Sequence, residues 1–191
     1  MKIGLYFGSF NPIHNGHLIV AGYMYEFTDL EQVWLVVSPH NPLKAPQTLL
    51  QDYHRFAMAK IGIGSNRKLK ASDFEFKLSK PNYTINTLMK LREQFPQHQF
   101  VIILGTDTLE TFTKWKDYEQ ILENYELYVY PRPESSGGEL MTHPHVKKMD
   151  APMMEISASF IREAIRNKKD VRYMMPESVS NYIEEMHFYE R

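Results

Sequence analysis

Residues Ile3–Phe7 and Val33–Ser38 are short, unbroken apolar runs rich in β formers, and an amphipathic stretch from about Ile13 to Phe27 lies between them. Such runs read as strands buried on both faces. Parallel strands need a crossover, and the intervening helix supplies one. The chain is therefore predicted to open with a βαβ unit. Further on, Leu69–Phe76, Phe100–Leu104 and Leu127–Tyr130 read as strands. Helical patterns cover Gln51–Gly64, Tyr83–Phe95 before Pro96, the residues after Ser157, and a last segment from Pro176 to Tyr189. The alternation predicts an α/β fold, a parallel sheet of about five strands with helices on both faces. At 191 residues the chain suits a single domain, 1–191, with an adequate core.

Formal net charge is −1, so no general nucleic-acid or anionic-membrane surface is implied. Cysteine is absent, which excludes disulfides and redox thiols. Lys2 leads through an apolar strand directly into a loop, a beginning unlike a signal peptide. No apolar run approaches the roughly 20 residues of a membrane span. A cytoplasmic protein is the expectation. Glu134–Gly138, rich in Ser and Gly, is predicted to be a flexible loop.

Chemistry concentrates where strands hand over to helices. Ile3–Phe7 closes at Gly8, Ser9, Asn11 and Pro12 form a turn, and a helix follows. A strand, a Gly-containing loop and a helix N-terminus in succession bind anions, because free N–H groups and the helix dipole point at one spot. His14 and His17, three apart, share a helix face beside that spot. Gly16 inside the helix costs roughly 1 kcal/mol relative to Ala. Either a flat ligand lies against that backbone or a neighbouring strand packs closely there. The stretch has neither the ending of a P-loop nor the spacing of a dinucleotide fingerprint. Two histidines without a Glu or a third ligand make a poor zinc site, so no metal ligands are assigned.

Three other junctions resemble this one in kind. Pro39–Pro46, with three prolines, is a loop leaving the carboxyl end of a strand, where α/β sheets bind ligands. Gly105-Thr106-Asp107 ends the most apolar strand and places a carboxylate where ribose hydroxyls or a helix N-terminus can use it. Ser157 or Ser159 can cap a helix whose first turn carries Arg162. A cation there opposes the dipole unless an anion is bound.

Gly8-Ser9-Phe10-Asn11-Pro12-Ile13-His14-Asn15-Gly16-His17 resembles the HxGH signature of the nucleotidyltransferase superfamily. The surrounding residues are most similar to bacterial nicotinate-mononucleotide adenylyltransferases. The resemblance extends to Gly105, Asp107, Leu109 and Trp115, to the Tyr83-Thr84-Ile85-Asn86-Thr87-Leu88 segment, and to Ile156–Arg162. It implies a Rossmann-like sheet and transfer of AMP from ATP, with Mg²⁺, to nicotinate mononucleotide. The products are deamido-NAD and pyrophosphate, in NAD biosynthesis.

By resemblance, His14, His17 and Arg162 are catalytic. Gly8, Ser9, Phe10, Gly16, Lys44, Gly105, Asp107 and Ser157 join them around ATP. Tyr83, Thr84, Thr87, Asp107, Trp115 and Arg132 surround the mononucleotide. Arg55 matches a basic position of the family, with an exposed surface role equally open. The sequence departs from the family's pattern at Ser9, Asn11, Leu43, Asn82, Asn86, Lys116 and Ala158. Two alternatives stand beside this reading: a related transferase with a phosphopantetheine acceptor, and a nucleotide-binding regulator without catalysis. Neither nucleic acid nor membrane is expected as a partner, and a homo-oligomer is left open.

Overall fold

The computed structural model describes residues 1–39 and 49–190. The strands β1 (Lys2–Gly8), β2 (Gln32–Val37), β3 (Leu69–Ser72), β4 (Gln99–Gly105), β5 (Glu126–Tyr130) and β6 (Val146–Lys148) form one sheet. Their order is β3-β2-β1-β4-β5-β6, six strands with every pairing parallel. The helices are α1 (Asn15–Phe27), α2 (Asp52–Ile63), α3 (Thr84–Gln94), α4 (Thr106–Glu110), α5 (Tyr118–Asn124), α6 (Ala158–Arg166) and α7 (Glu177–Glu185).

The sheet has one strand more than the sequence predicts. β6 is three residues long and only Val146 is buried, so no apolar run announces it. Pairing with β5 creates it, with Leu127 opposite Val146. Lys147 and Lys148 then occupy an exposed edge, where charge discourages further pairing. β3 is shorter than predicted, because the Ser72 hydroxyl accepts the Phe74 N–H at 3.3 Å and the chain turns into a 3₁₀ segment, Phe74–Lys77.

Side chains alternate across the sheet and build two cores. On one face, Tyr6, Leu35, Val101 and Ile103 meet Val20 and Met24 of α1, Met58 of α2, Ile161 of α6 and Val179 of α7. On the other, Leu5, Val36, Ile102 and Leu104 meet Ile85 and Leu88 of α3, Leu109 of α4 and Ile121 of α5. The strand order runs outward in both directions from the adjacent pair β1 and β4. At such a switch point the connections leave to opposite sides and open a crevice at the carboxyl ends of the strands. The opposite edge is tied together by charge: Lys2 Nζ lies 2.7 Å from Asp29, 2.5 Å from Glu126 and 2.9 Å from the Tyr128 hydroxyl. Among the described residues no helix is long and apolar enough to cross a membrane.

Candidate active site

The crevice above β1 and β4 is a cleft of about 480 Å³, within the range of small-molecule sites. Its first wall is the loop after β1. Phe10 takes left-handed backbone (φ 45°) and is buried, which folds its ring back over Gly8. α1 begins at Asn15, later than predicted, so His14 is the cap residue and His17 lies in the first turn. His17 Nδ1 accepts the His14 N–H at 3.2 Å, and the two rings stack with centroids 3.7 Å apart. Because Nδ1 is an acceptor, a neutral His17 carries its proton on Nε2. Phe10 and Tyr6 stand edge-on to the same ring at 5.0 and 6.1 Å.

Gly16 has an explanation among the described residues. A Cβ there would meet the His14 ring at 3.0 Å, so the missing side chain makes room for the catalytic candidate itself. His14 is 4% exposed, and its Nδ1 has no hydrogen-bond partner among the described residues. Burial, aided by the positive charge of Arg132, lowers its pKa to about 4. It is neutral at pH 7.

The second wall is α6. Of the two serines the sequence offered as caps, Ser157 takes the role, accepting the Phe160 N–H at 3.1 Å. Arg162 is the fifth residue of the helix, just past the first turn, so the dipole argument for it is weaker than the sequence suggested. What aims it is the loop after β1: Nη1 donates to the Asn11 carbonyl at 2.8 Å and Nη2 to Ser159 Oγ at 3.2 Å. Two segments some 150 positions apart thus line one cleft.

The third wall comes from the tips of β4 and β5. Gly105 ends β4, and a Cβ on it would meet Asp107 Oδ1 at 2.5 Å and Arg132 Cγ at 2.7 Å. Its absence lets that carboxylate and guanidinium approach, with Asp107 Oδ2 3.7 Å from Arg132 Nε. The Arg132 main chain is fixed by Thr106 Oγ1 at 2.9 Å, and its Nη1 donates to the Met154 carbonyl at 3.1 Å. Tyr6 and Tyr130 also line this side, their hydroxyls 3.1 Å apart.

Gly8, Ser9, Phe10, His14, Gly16, His17, Asp107, Arg132, Ser157 and Arg162 all border the cleft. Lys44, with Leu43, lies outside the described residues. Tyr83, Thr84, Thr87 and Trp115 do not border it. Tyr83 and Trp115 pack on the second core, as does Phe7, which also borders the cleft. Thr84 opens α3. Thr87 faces inward, fully buried, and donates to Glu75 Oε1 at 2.8 Å, so its hydroxyl anchors α3 instead of facing the cleft. Trp115 stands tilted against buried Phe112 at 4.8 Å, while Lys116 Nζ sits 4.9 Å above the Tyr83 ring. The Glu134–Gly138 loop is anchored, since Glu110 accepts bonds from Ser135 Oγ, Ser136 N and Gly137 N at 2.8–3.2 Å.

Arg55 is the residue the sequence undervalued. It is fully buried in α2 and donates to the carbonyls of Leu50, Ser9, Ser38 and Pro39 and to Asp52. The neighbouring Asp52, three positions earlier, was the available signal. Burial lowers its pKa, against the pull of Asp52.

A histidine pair at a helix N-terminus, faced by an arginine on a second helix over a parallel-sheet switch point, is the arrangement that the HxGH resemblance implies for a nucleotidyltransferase. The cytidylyltransferase-like family matches residues 5–164. The chain belongs to this family and, within it, to the nicotinate-nucleotide adenylyltransferases. It is 51% identical over 189 residues to a probable nicotinate-nucleotide adenylyltransferase of Cytophaga hutchinsonii, covering 99% of this chain and 98% of that one. It is 50% identical over 193 residues to the counterpart in Flavobacterium johnsoniae, covering both fully. In fold it is similar to the solved Plasmodium falciparum nicotinic acid mononucleotide adenylyltransferase complexed with NaAD. The TM-score is 0.83 at 22% identity, covering 99% of this chain and 97% of that one.

Proposed function

We propose that this chain transfers AMP from ATP to nicotinate mononucleotide, releasing pyrophosphate and forming deamido-NAD. The observation that carries the reading is the meeting of the His14–His17 pair with Arg162 across one cleft, each held by the loop after β1. An oxygen of the mononucleotide phosphate attacks the α-phosphorus of ATP, and the bond from that phosphorus to the bridging oxygen of pyrophosphate breaks. Such a transfer needs alignment and charge neutralisation more than covalent chemistry by the protein. His17, with its proton on Nε2, donates to the α-phosphate. His14 is neutral in the free protein and gains proton affinity when the triphosphate arrives beside it. Arg162 and Ser157 hold the leaving pyrophosphate, with Lys44 as a further candidate cation. Asp107 takes the ribose hydroxyls, and Arg132 neutralises phosphate on the same side.

The pyridine ring is assigned to the Tyr83–Thr84 end of α3 and to Trp115. Thr84 is the first residue of that helix, where unsatisfied N–H groups favour a carboxylate over an amide. Mg²⁺ is expected with ATP. Among the described residues no group of three His, Cys, Asp or Glu could cage an ion. The expected compartment is the cytoplasm. A pyrophosphate-release assay with ATP and a panel of phosphorylated acceptors tests the reading. Release with nicotinate mononucleotide is expected, release only with phosphopantetheine favours the related transferase, and none with any acceptor favours a regulator.

A further inference from the structure

The carboxyl-terminal residues return to the loop after β1. Past α7 the backbone is left-handed at His187 (φ 53°) and Tyr189 (φ 66°), a conformation costly for residues other than glycine. Phe188 between them is seated against His54 at 4.7 Å, and its N–H bonds to the Ile183 carbonyl at 3.1 Å. This turn delivers the Tyr189 hydroxyl to Asn11 Oδ1 at 2.7 Å, across 178 positions of sequence. The same oxygen accepts the Leu50 N–H at 3.3 Å. A main-chain N–H can only donate, which puts the amide oxygen of Asn11 on that side and makes the Tyr189 hydroxyl the donor.

Asn11 is 2% exposed, and its main-chain oxygen is the acceptor that holds Arg162 Nη1 at 2.8 Å. Ser9, two residues earlier, is held by Arg55 at 2.6 Å. The loop that aims Arg162 is therefore braced from behind by a residue near the far end of the chain. A phenylalanine at 189 would fill the same space, so the hydroxyl's contribution is orientation and not packing.

We propose that Tyr189 is a positioning residue for the nucleotide phosphates: its hydroxyl fixes Asn11, and Asn11 fixes the Arg162 guanidinium in the cleft. The identity of the anion as the ATP triphosphate rests on the adenylyltransferase reading; the coupling of Tyr189 to Arg162 does not. The test is a cycle of four proteins: wild type, Tyr189→Phe, Arg162→Ala and the double variant. Each is titrated calorimetrically with Mg-ATP without acceptor, and its thermal midpoint is recorded.

One neutral hydrogen bond predicts that Tyr189→Phe weakens ATP binding by roughly three- to tenfold. In the Arg162→Ala background the same change should weaken it less than about twofold, because the residue it acts through is gone. The KM for nicotinate mononucleotide should stay at the wild-type value. Equal losses in both backgrounds, no loss in either, a matching loss for both substrates, or a Tyr189→Phe protein that fails to fold would each overturn the proposal. A wild type that binds ATP yet releases no pyrophosphate counts against the reaction and not against the coupling, which the binding cycle reads by itself.

Discussion

His17 closes the first turn of α1 with one ring nitrogen and keeps its proton on the other. Removing a donor to charge that develops in a transition state typically costs roughly 100- to 1,000-fold in rate. His17→Ala should therefore lower kcat by that order while ATP affinity changes far less. Steady-state kinetics on the folded variant checks this, and turnover within a few-fold of wild type would remove His17 from the mechanism. His14 makes a separate claim about stability. The unfolded chain takes up its proton near the ordinary histidine pKa of about 6.5, whereas the buried ring resists until about 4. Between those values the unfolded state binds more protons, so the contribution is fully present above about pH 6.5 and lost as pH falls toward 4. A shift of this size corresponds to about 3 kcal/mol. Urea unfolding at pH 7.5 and 4.5 should show His14→Asn losing less stability than wild type over that interval; parallel losses would contradict the burial argument. Both histidines were legible in the sequence through their spacing together with Gly8 and Gly16, and the role expected of them came from the family resemblance. Their stacking was not, because it depends on His14 standing outside the helix as its cap.

α2 reaches the site through Arg55, whose guanidinium spans carbonyls from the ends of β1 and β2 and from the residues just before the helix. A planar fork with five donors can bridge acceptors that far apart, and an ammonium on a flexible stem cannot. Arg55→Lys should destabilise the protein by about 2–4 kcal/mol, since several buried carbonyls lose their partner together. Urea unfolding measures it, and a change within about 0.5 kcal/mol would mean the carbonyls find other donors. Periodicity could not separate this buried cation from a solvated one, because an Arg in a first helical turn fits both. The strand elements show the same limit. β1, β2, β4 and β5 are apolar runs and were readable as such, while β6 exists through its pairing with β5 and β3 is cut short by the hydroxyl of Ser72.

Placing the strand-to-helix junctions at one edge of a parallel sheet was sufficient to anticipate where a cleft would open, since the connections diverge at β1 and β4, but not that the Tyr83–Trp115 group would stand apart from it. Strand order itself was not readable, since the apolar runs do not encode which neighbour each will take. The brace from Tyr189 was equally hidden, because no local pattern links residue 189 to residue 11. The fold divides its labour across the sheet. The His–Arg cleft lies over one core, and the Tyr83–Trp115 group packs on the other. Under the proposed function the donor nucleotide would occupy the cleft and the acceptor's ring would lie against the N-terminus of α3. A carboxylate there accepts charge-assisted hydrogen bonds of roughly 1.5–3 kcal/mol each, which an amide does not match. The measurement that addresses this directly is kcat/KM for nicotinate mononucleotide and for nicotinamide mononucleotide at fixed ATP, followed by pyrophosphate release. The account predicts pyrophosphate and deamido-NAD in equal amounts and a preference for the acid of at least about tenfold. Equal rates with the two acceptors, or pyrophosphate release that nicotinate mononucleotide does not accelerate, would contradict it.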